Sequence, residues 1–545
     1  MFRPKWKILS RYSSGLPLYT EILKQRGINE VEKFIHPGNP LHSIKKFFPK
    51  DFFEEVKKTK TLIDKFISEG KSIIVFGDYD ADGICATSIL YSFLRFEFKY
   101  DKITYFIPNR FDHGYGLSKG AVDKALLGID GEALIITVDT GITAVTESTY
   151  IKSLGHSLII TDHHQKLPTL PSADSIVWSD KVVGSTIAWV ITKLLGSKNP
   201  RSVGLAALAT VTDLQPLVDF NRELVSYGLK TTNQDPYQGL VKLMEVAGRK
   251  DGEITTYDFG FVIGPRLNAS GRLEEAGKAV EIFLQDAPDK LKVIAQTLND
   301  INNKRQDITL EMFELASMPK DQIPNVIVSS NPDYHEGIIG LVAAKLVQRY
   351  YRPSIVISLS EDFGKGSARS IPGINIIELL REFSDMFTNL GGHPMAAGFT
   401  IHSDKITDFT SAINLRVGEL YDSSIFEPII EVDIEIPISI LSIKEIDLLD
   451  ELKPYGIGNK EPLLLSRNLK IHDIKTVGKE NSHLSLKLSD GIVGYKAIMF
   501  GGGELLSNFG LGDSVDIVYN AKINEFNGNR SVNLTLVDMR KNDEA

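Results

Sequence analysis

Phe76-Gly-Asp-Tyr-Asp-Ala-Asp-Gly83, preceded by Ile73-Ile-Val75, is the stretch on which the fold turns. A short apolar run ends on carboxylates, and a helical pattern over residues 84–96 follows at once. Rich in β-branched residues and bounded by a turn, the run reads as a buried strand. In extended backbone, residues two apart face the same side, so Asp78, Asp80 and Asp82 converge. Three close carboxylates repel one another unless a cation neutralises them. Gly83 lets the backbone turn tightly into the helix. A calcium loop of the EF-hand kind needs a preceding helix and a Glu in twelfth place. Here a strand comes first and Ile89 holds that place, so a metal site at a strand end is the better reading.

The same pattern recurs outward from this point. Short Ile- and Val-rich runs lie at residues 103–107, 134–138, 158–161 and 176–178, with helical patterns at 118–127 and 144–154 between them. Continuous apolar strands alternating with helices imply a parallel sheet covered on both faces, with ligands beyond the carboxyl ends of its strands. Residues 134–138 end in Asp139, and 158–161 end in Asp162-His163-His164. Residues 206–211 read as a fourth such run, leading through Thr212 to Asp213. One acid at a strand end is often a helix cap; four runs ending in Asp point to a common site. Oxygen ligands with one or two imidazoles suit Mn²⁺, and Mg²⁺ less comfortably. Several carboxylates in one place suit two cations that activate water and clamp a phosphoryl group.

Residues 186–315 read as mainly helical, with a long helix over 289–315. A second α/β unit follows, with strands near 326–329 and 355–359, helices near 338–350 and 374–387, and a glycine-rich stretch at 391–398. The last hundred residues alternate as strands, and Phe526-Asn-Gly-Asn-Arg530 carries an Asn-Gly hairpin signal. A small β-barrel is expected there. Residues 1–70 look helical and polar, with a break at Pro37-Gly-Asn-Pro40. The expected division is 1–70 helical, 71–225 catalytic, 226–318 helical linker, 319–430 second α/β domain and 431–545 barrel.

Composition narrows the function. The chain has 545 residues and a net charge of −9, which argues mildly against a large nucleic-acid interface, although clustered metal-binding aspartates inflate the acidic count. The single Cys85 excludes an internal disulfide and a zinc-finger ligand set. There is no Walker A sequence and no Gly-x-Ser-x-Gly elbow. No apolar run is long enough to cross a bilayer, and a cytoplasmic protein is expected.

In this order, Asp78-Tyr-Asp-Ala-Asp-Gly83, Asp139, Asp162-His-His164 and Asp213 resemble the four motifs of the DHH phosphoesterase superfamily. Arg110-Phe-Asp-His-Gly-Tyr-Gly-Leu117, Gly264-Pro-Arg-Leu-Asn-Ala-Ser-Gly-Arg272, Tyr334-His-Glu-Gly-Ile-Ile-Gly340, Gly366-Ser-Ala-Arg-Ser370, Gly391-Gly-His393 and Pro454-Tyr-Gly-Ile-Gly-Asn459 extend the likeness to the RecJ family over nearly the whole chain. The resemblance implies a DHH domain, a helical linker, a DHH-associated domain and an oligonucleotide-binding (OB) barrel. It implies a metal-dependent exonuclease that cuts single-stranded DNA from the 5′ end and releases 5′-mononucleotides in repair and recombination, with a helicase and a single-strand-binding protein as partners.

Residue by residue, the resemblance implies metal roles for Asp78, Asp80, Asp82, Asp139, His163 and Asp213. It places His164 at the scissile phosphate, with Asp162 as a residue that orients a histidine. Arg110, Arg266, Ser367, Arg369 and His393 hold phosphates of the strand on this reading, because arginine's planar fork matches phosphate oxygens. The chain departs from the family pattern at Thr140, at Tyr334 and in a shortened stretch over 177–184. Bland readings stand beside the sharp ones: Tyr115 and Tyr455 stack bases or pack in the core, and Arg272 and Arg305 make structural ion pairs. Two other functions compete, a phosphodiesterase of short oligonucleotides or cyclic dinucleotides and a non-catalytic scaffold. The C-terminal barrel argues against the first and the intact acids against the second.

Overall fold

The computed structural model describes residues 4–13, 15–109, 116–249, 252–319, 322–526 and 528–542. Strands are numbered along the chain. The first domain is built on five parallel strands, β2 (Ser72–Gly77), β3 (Ile103–Phe106), β4 (Ala133–Val138), β5 (Ser157–Asp162) and β6 (Ser175–Trp178), in the order β3-β2-β4-β5-β6. Alternation along each strand feeds two cores. Ile73, Val75, Leu134, Ile136 and Ile159 pack on one face, and Ile74, Phe76, Ile135, Leu158 and Ile160 on the other. This two-sided burial is why the strands read as unbroken apolar runs. The strand order reverses between β2 and β4, which makes the carboxyl ends of those two strands the ligand-binding crevice of a doubly wound sheet.

Residues 206–211 are not a strand; they lie within the helix Ser202–Thr212, and Asp213 caps its C-terminus. The run is rich in alanine, the best helix former, and a short buried run cannot be told from a strand by periodicity. Nor is the N-terminal segment wholly helical. Residues Lys5–Ile8 form β1, which pairs in parallel with β12 (Ile429–Val432) near the other end of the chain.

The helical region that follows is crossed by the helix Pro288–Ala316. Leu291, Ala295 and Leu298 belong to the first domain's core, whereas Met312 and Ala316 pack with Val342 and Leu346 of the second domain. That domain is a mixed five-stranded sheet in the order β10-β11-β9-β8-β7, from β7 (Ile327–Asn331), β8 (Ser354–Leu359), β9 (Phe363–Arg369), β10 (Phe387–His393) and β11 (Ala396–His402). The helix expected over 374–387 is confined to Ile376–Arg381 and gives way to β10, whose pairing with β11 overrides local helical pattern.

At the C-terminus, β14 (Leu464–Val477), β15 (His483–Ser489), β16 (Gly494–Met499), β18 (Asn529–Lys541) and β17 (Ser514–Phe526) pair in that order, and β14 pairs with β17 to close a five-stranded barrel. The expected hairpin is present, with Phe526 opposite Asn529 and Gly528 at φ +77°; Asn527 lies outside the described residues. Leu18, Ile22 and Leu23 from the N-terminal segment fill the barrel's core, while Phe52, Val56 and Phe66 pack on the first domain. Among the described residues, no helix is long and apolar enough to cross a membrane.

A candidate metal and phosphate site

The register of the parallel sheet assembles the site. Gly77 is level with Val138, and Val138 with Thr161, so Asp78, Asp139 and Asp162 follow three adjacent strands at one height. Asp78, Asp82, Asp139 and Asp162 are buried. Asp80 is also the N-cap of the helix Ala81–Ser92, accepting from the backbone N–H of Asp82 at 3.0 Å and of Gly83 at 3.1 Å. Gly83 is required by proximity: a Cβ there would lie 2.3 Å from the carbonyl oxygen of Asp78.

His163 points its Nε2 into the acids, 3.1 Å from Asp139 Oδ1, 3.6 Å from Asp82 Oδ2 and 3.8 Å from Asp213 Oδ2. Three overlapping sets, Asp78/Asp80/Asp139, Asp82/His163/Asp213 and Asp139/His163/His164, each hold their ligand-type atoms within 4.8 Å of one another. Asp139 Oδ1 is buried and, despite its closeness to His163, accepts no hydrogen bond. A buried carboxylate oxygen without a donor is costly unless a cation faces it. The donor set therefore fits hard divalent metals, with carboxylate oxygens and one or two imidazoles.

Electrostatics agree with that fit. Burial, and then Asp80, pushes the Asp78 carboxyl up to about 8, and burial with Asp82 and Asp80 does the same to Asp213. Burial and the neighbouring carboxylates also raise Asp80 and Asp139. Burial lowers His163, favouring its neutral, ligand-competent form. His164 behaves oppositely. Burial opposes its charge, but the hydrogen bond and charge of Asp162 outweigh it and raise the imidazole to about 9. Asp162 Oδ1 lies 2.8 Å from His164 Nδ1, and its other oxygen accepts from Ile142 N–H at 2.8 Å. Two histidines adjacent in sequence thus differ in their nearest partners: His163 Nε2 lies among Asp139, Asp82 and Asp213, and His164 Nδ1 lies against Asp162 at the cluster's edge.

Several supporting residues escaped the sequence reading. The helix Gly184–Leu194 aims its N-terminus at Asp82, with Gly184 N–H and Ser185 N–H each 2.7 Å from a carboxylate oxygen. A Cβ on Gly184 would come within 2.6 Å of Asp139 Cβ, so only glycine fits. Asn268 Oδ1 accepts from Ala81 N–H at 2.7 Å, and Gly271 lies against Tyr79, where a Cβ would be 2.5 Å from the carbonyl oxygen. Trp178 Nε1 donates to His164 O at 2.8 Å and fixes the histidine loop. The signal for the first of these was Gly-Ser at a helix start, which is too common to single out.

The expected phosphate-binding residues are spread more widely. Ser367 and Arg369 lie on β9 beside the helix Ile339–Tyr350; Arg369 Nη1 is 3.1 Å from Ser367 Oγ, and a Cβ on Gly340, in that helix's first turn, would meet both side chains. A helix N-terminus beside a half-buried arginine is a ready anion site. His393 is exposed, two strands away and level with Arg369 through Ala396, so both side chains share a face. Arg266 is held by Asn299 Oδ1 at 3.0 and 3.1 Å and by Val262 O at 2.6 Å, none of them in the acid cluster. Arg272 Nη1 reaches Gly337 O at 3.3 Å and joins the linker to the second domain. Tyr455 is packed in the barrel module, its hydroxyl donating to Leu449 O at 2.9 Å. Arg110 and Tyr115 lie outside the described residues.

Comparison with known proteins converges on one family. Residues 72–211 match the DHH family N-terminal domain, 324–419 the DHHA1 domain and 432–538 the RecJ OB domain. The chain is 32% identical to the single-stranded-DNA-specific exonuclease RecJ of Bacillus subtilis, over 98% of this chain and 69% of that protein. It is 31% identical to the RecJ of Haemophilus influenzae, over 89% of this chain and 90% of that one. The crystal structure of Thermus thermophilus RecJ in complex with Mn²⁺ superposes with a TM-score of 0.79 at 27% identity, covering 98% of this chain and 79% of that one.

Proposed function

The chain belongs to the RecJ family of DHH phosphoesterases, and on that premise we propose that it is a single-stranded-DNA-specific exonuclease. It hydrolyses phosphodiester bonds from the 5′ end, releases 5′-mononucleotides and serves DNA repair and recombination in the cytoplasm. A helicase that unwinds the duplex and a protein that coats the single strand are its partners. The observation that carries the reading is the buried cluster around Asp139, whose Oδ1 has no donor and whose neighbours are carboxylates and two imidazoles.

Asp78, Asp80, Asp82, Asp139, His163 and Asp213 hold two divalent cations, Mn²⁺ or Mg²⁺. Those cations, when bound, supply Lewis acidity and lower the pKa of a water. The chain supplies the rest. His164, kept cationic by Asp162, donates to a phosphate oxygen as charge builds there. Ser367, Arg369 and the Ile339–Tyr350 helix N-terminus hold a phosphate of the strand, with His393 on the same face and Arg110 and Arg266 contributing further contacts. The barrel extends the strand's path.

End-labelled DNA tests this directly. With Mn²⁺, labelled mononucleotide should leave the 5′ end of single strands from the first time points, while 3′-labelled strands shorten late and duplexes persist. Cleavage confined to very short oligonucleotides or cyclic dinucleotides would make the chain a small-substrate phosphodiesterase instead.

A second expectation concerns the metal and pH. Asp78 and Asp213 titrate near 8 in the folded protein against 3.8 for an ordinary aspartate, so folding without metal takes up protons there. Their contribution to stability is full below about pH 4 and is lost as pH rises through about 8. The share of Asp213 is the smaller, since a third of its side chain meets water. In chelator the melting temperature should therefore fall from about pH 5 to 8. Saturating Mn²⁺ should raise it by roughly 5–10 °C, most at the alkaline end. A metal response independent of pH would contradict ligation by these carboxylates.

A further inference from the structure

We infer that Tyr257 and Phe261 form a stacking platform for bases of the substrate strand, beside the acidic site. The inference rests on the single-strand reading above. The two rings lie one helical turn apart, 5.0 Å between centroids and 25° from parallel, with side chains aimed outward. Tyr257 is 60% exposed and Phe261 72% exposed. Their neighbours Phe259, Val262 and Ile263 are buried, so the segment already has its packing face. Leaving two adjacent aromatic rings in water forgoes a large burial gain and calls for an occupant. The segment Asp258–Ile263 is a π-helix, a widened turn that often accompanies functional sites.

Position identifies the occupant. This segment lies against the helix that carries Asp213: a Cβ on Gly260 would be 3.6 Å from Val211, and one on Gly264 2.3 Å from Thr212 Cγ2. Immediately after Asp213, Leu214 adopts φ +58° and is 66% exposed. On the other side, Thr256 Oγ1 donates to Tyr455 O at 2.8 Å and Leu217 N–H to Ile457 O at 2.7 Å, and Ile457 is itself exposed. Exposed apolar side chains thus occur beside a metal-type aspartate, on the aromatic segment packed against its helix, and in the loop that opens the barrel module. The same helical path rises roughly 10 Å along its axis from Phe261 to Asn268, which braces the aspartate turn. A strand lying between the acids and the barrel crosses these rings. Every base has a π-face, so such a platform holds a strand without reading its sequence.

The test uses the full chain in chelator, where nothing is cut, and oligothymidylates carrying one abasic site stepped inward from the 5′ end. Binding is read by fluorescence anisotropy. Wild-type affinity should drop roughly five- to hundredfold when the abasic site falls at one or two positions a few nucleotides from the 5′ end. The Tyr257→Ser/Phe261→Ser variant should bind the intact strand correspondingly more weakly and ignore the abasic step, and Phe261→Trp should keep the wild-type profile. Indifference of the wild type to the abasic site at every position overturns the platform, and needs no variant. So does a double variant with unchanged DNA affinity, the result expected if a protein docked on these rings. Absence of any single-strand binding by the wild type would overturn the single-strand reading as well, which separates the two failures.

Discussion

Asp139→Asn is expected to reduce metal-dependent cleavage by on the order of a thousandfold or more while raising the melting temperature of the metal-free protein. Asp139 is buried at the centre of the cluster, with an Oδ1 that accepts no hydrogen bond. Burial, then Asp82, Asp80 and Asp78, drives its pKa well above the ordinary range. Without a cation this carboxylate works against folding; on the proposed function it would be a ligand, and it belongs to two of the three candidate ligand sets. Asparagine keeps the shape and removes the charge. It also suits the backbone, since Asp139 sits at φ +62°, a left-handed conformation that Asn adopts more readily than most residues. Stability gained and activity lost at one position is the signature of a functional strain, not of a structural residue. Single-turnover cleavage and calorimetry in chelator measure the two halves. A variant less stable than wild type in chelator would make Asp139 a structural acid, and activity within tenfold would remove it from the ligand set.

How far the sequence disclosed this site depended on what each residue's neighbours could reveal. Asp78, Asp80, Asp82, Asp139 and Asp162 were legible because β2, β4 and β5 are buried on both faces and so write themselves as Ile/Val runs, each ending in an acid; spacing left His163 and His164 interchangeable, and the family resemblance alone separated them. Asp213 was found for the wrong structural reason. Its apolar run is a helix, and the residue reaches the cluster from a helix C-terminus. Gly184 and Ser185 were invisible because their role, holding Asp82, depends on a contact between residues 102 and 103 positions apart. The motif around Arg266 shows the same limit. Its Asn268 and Gly271 brace the aspartate turn, whereas the arginine, the residue sequence favours for phosphate, is engaged by Asn299 and Val262. The strand β1 was missed because four residues carry little pattern and their partner lies at the far end of the chain. Local periodicity reports an element's own burial; it does not report which distant backbone completes it.

One such distant contact carries the second large effect: Arg222→Met should destabilise the protein by roughly 3–5 kcal/mol. Arg222 is among the largest fully buried side chains, and the three hydrogen-bond partners of its guanidinium are all carbonyls. Nε donates to Phe34 O at 2.7 Å, Nη2 to Lys453 O at 2.8 Å and Nη1 to Pro454 O at 3.3 Å. The guanidinium also stacks 3.8 Å from the Phe34 ring centroid, and burial lowers its pKa to about 10. Methionine fills similar volume but takes the donor from Phe34 O and Lys453 O, each costing about 1–3 kcal/mol when buried and not fully additive, while Pro454 O keeps Asn459 Nδ2 at 2.9 Å. Lysine keeps the charge, yet one ammonium cannot span the positions of a planar fork, so Arg222→Lys should fall between. The helix that bears Arg222 packs Phe220, Leu224 and Val225 into the first domain's core, while Phe34 packs with the barrel's core. The arginine is therefore a tie between the acid site and the barrel. Its loss should expose the junction to limited proteolysis before either core melts. If the barrel guides the strand, KM should rise for long strands and stay level for oligonucleotides too short to reach it. Melting within about a degree of wild type would mean that water satisfies the two vacated carbonyls and that the junction is held elsewhere.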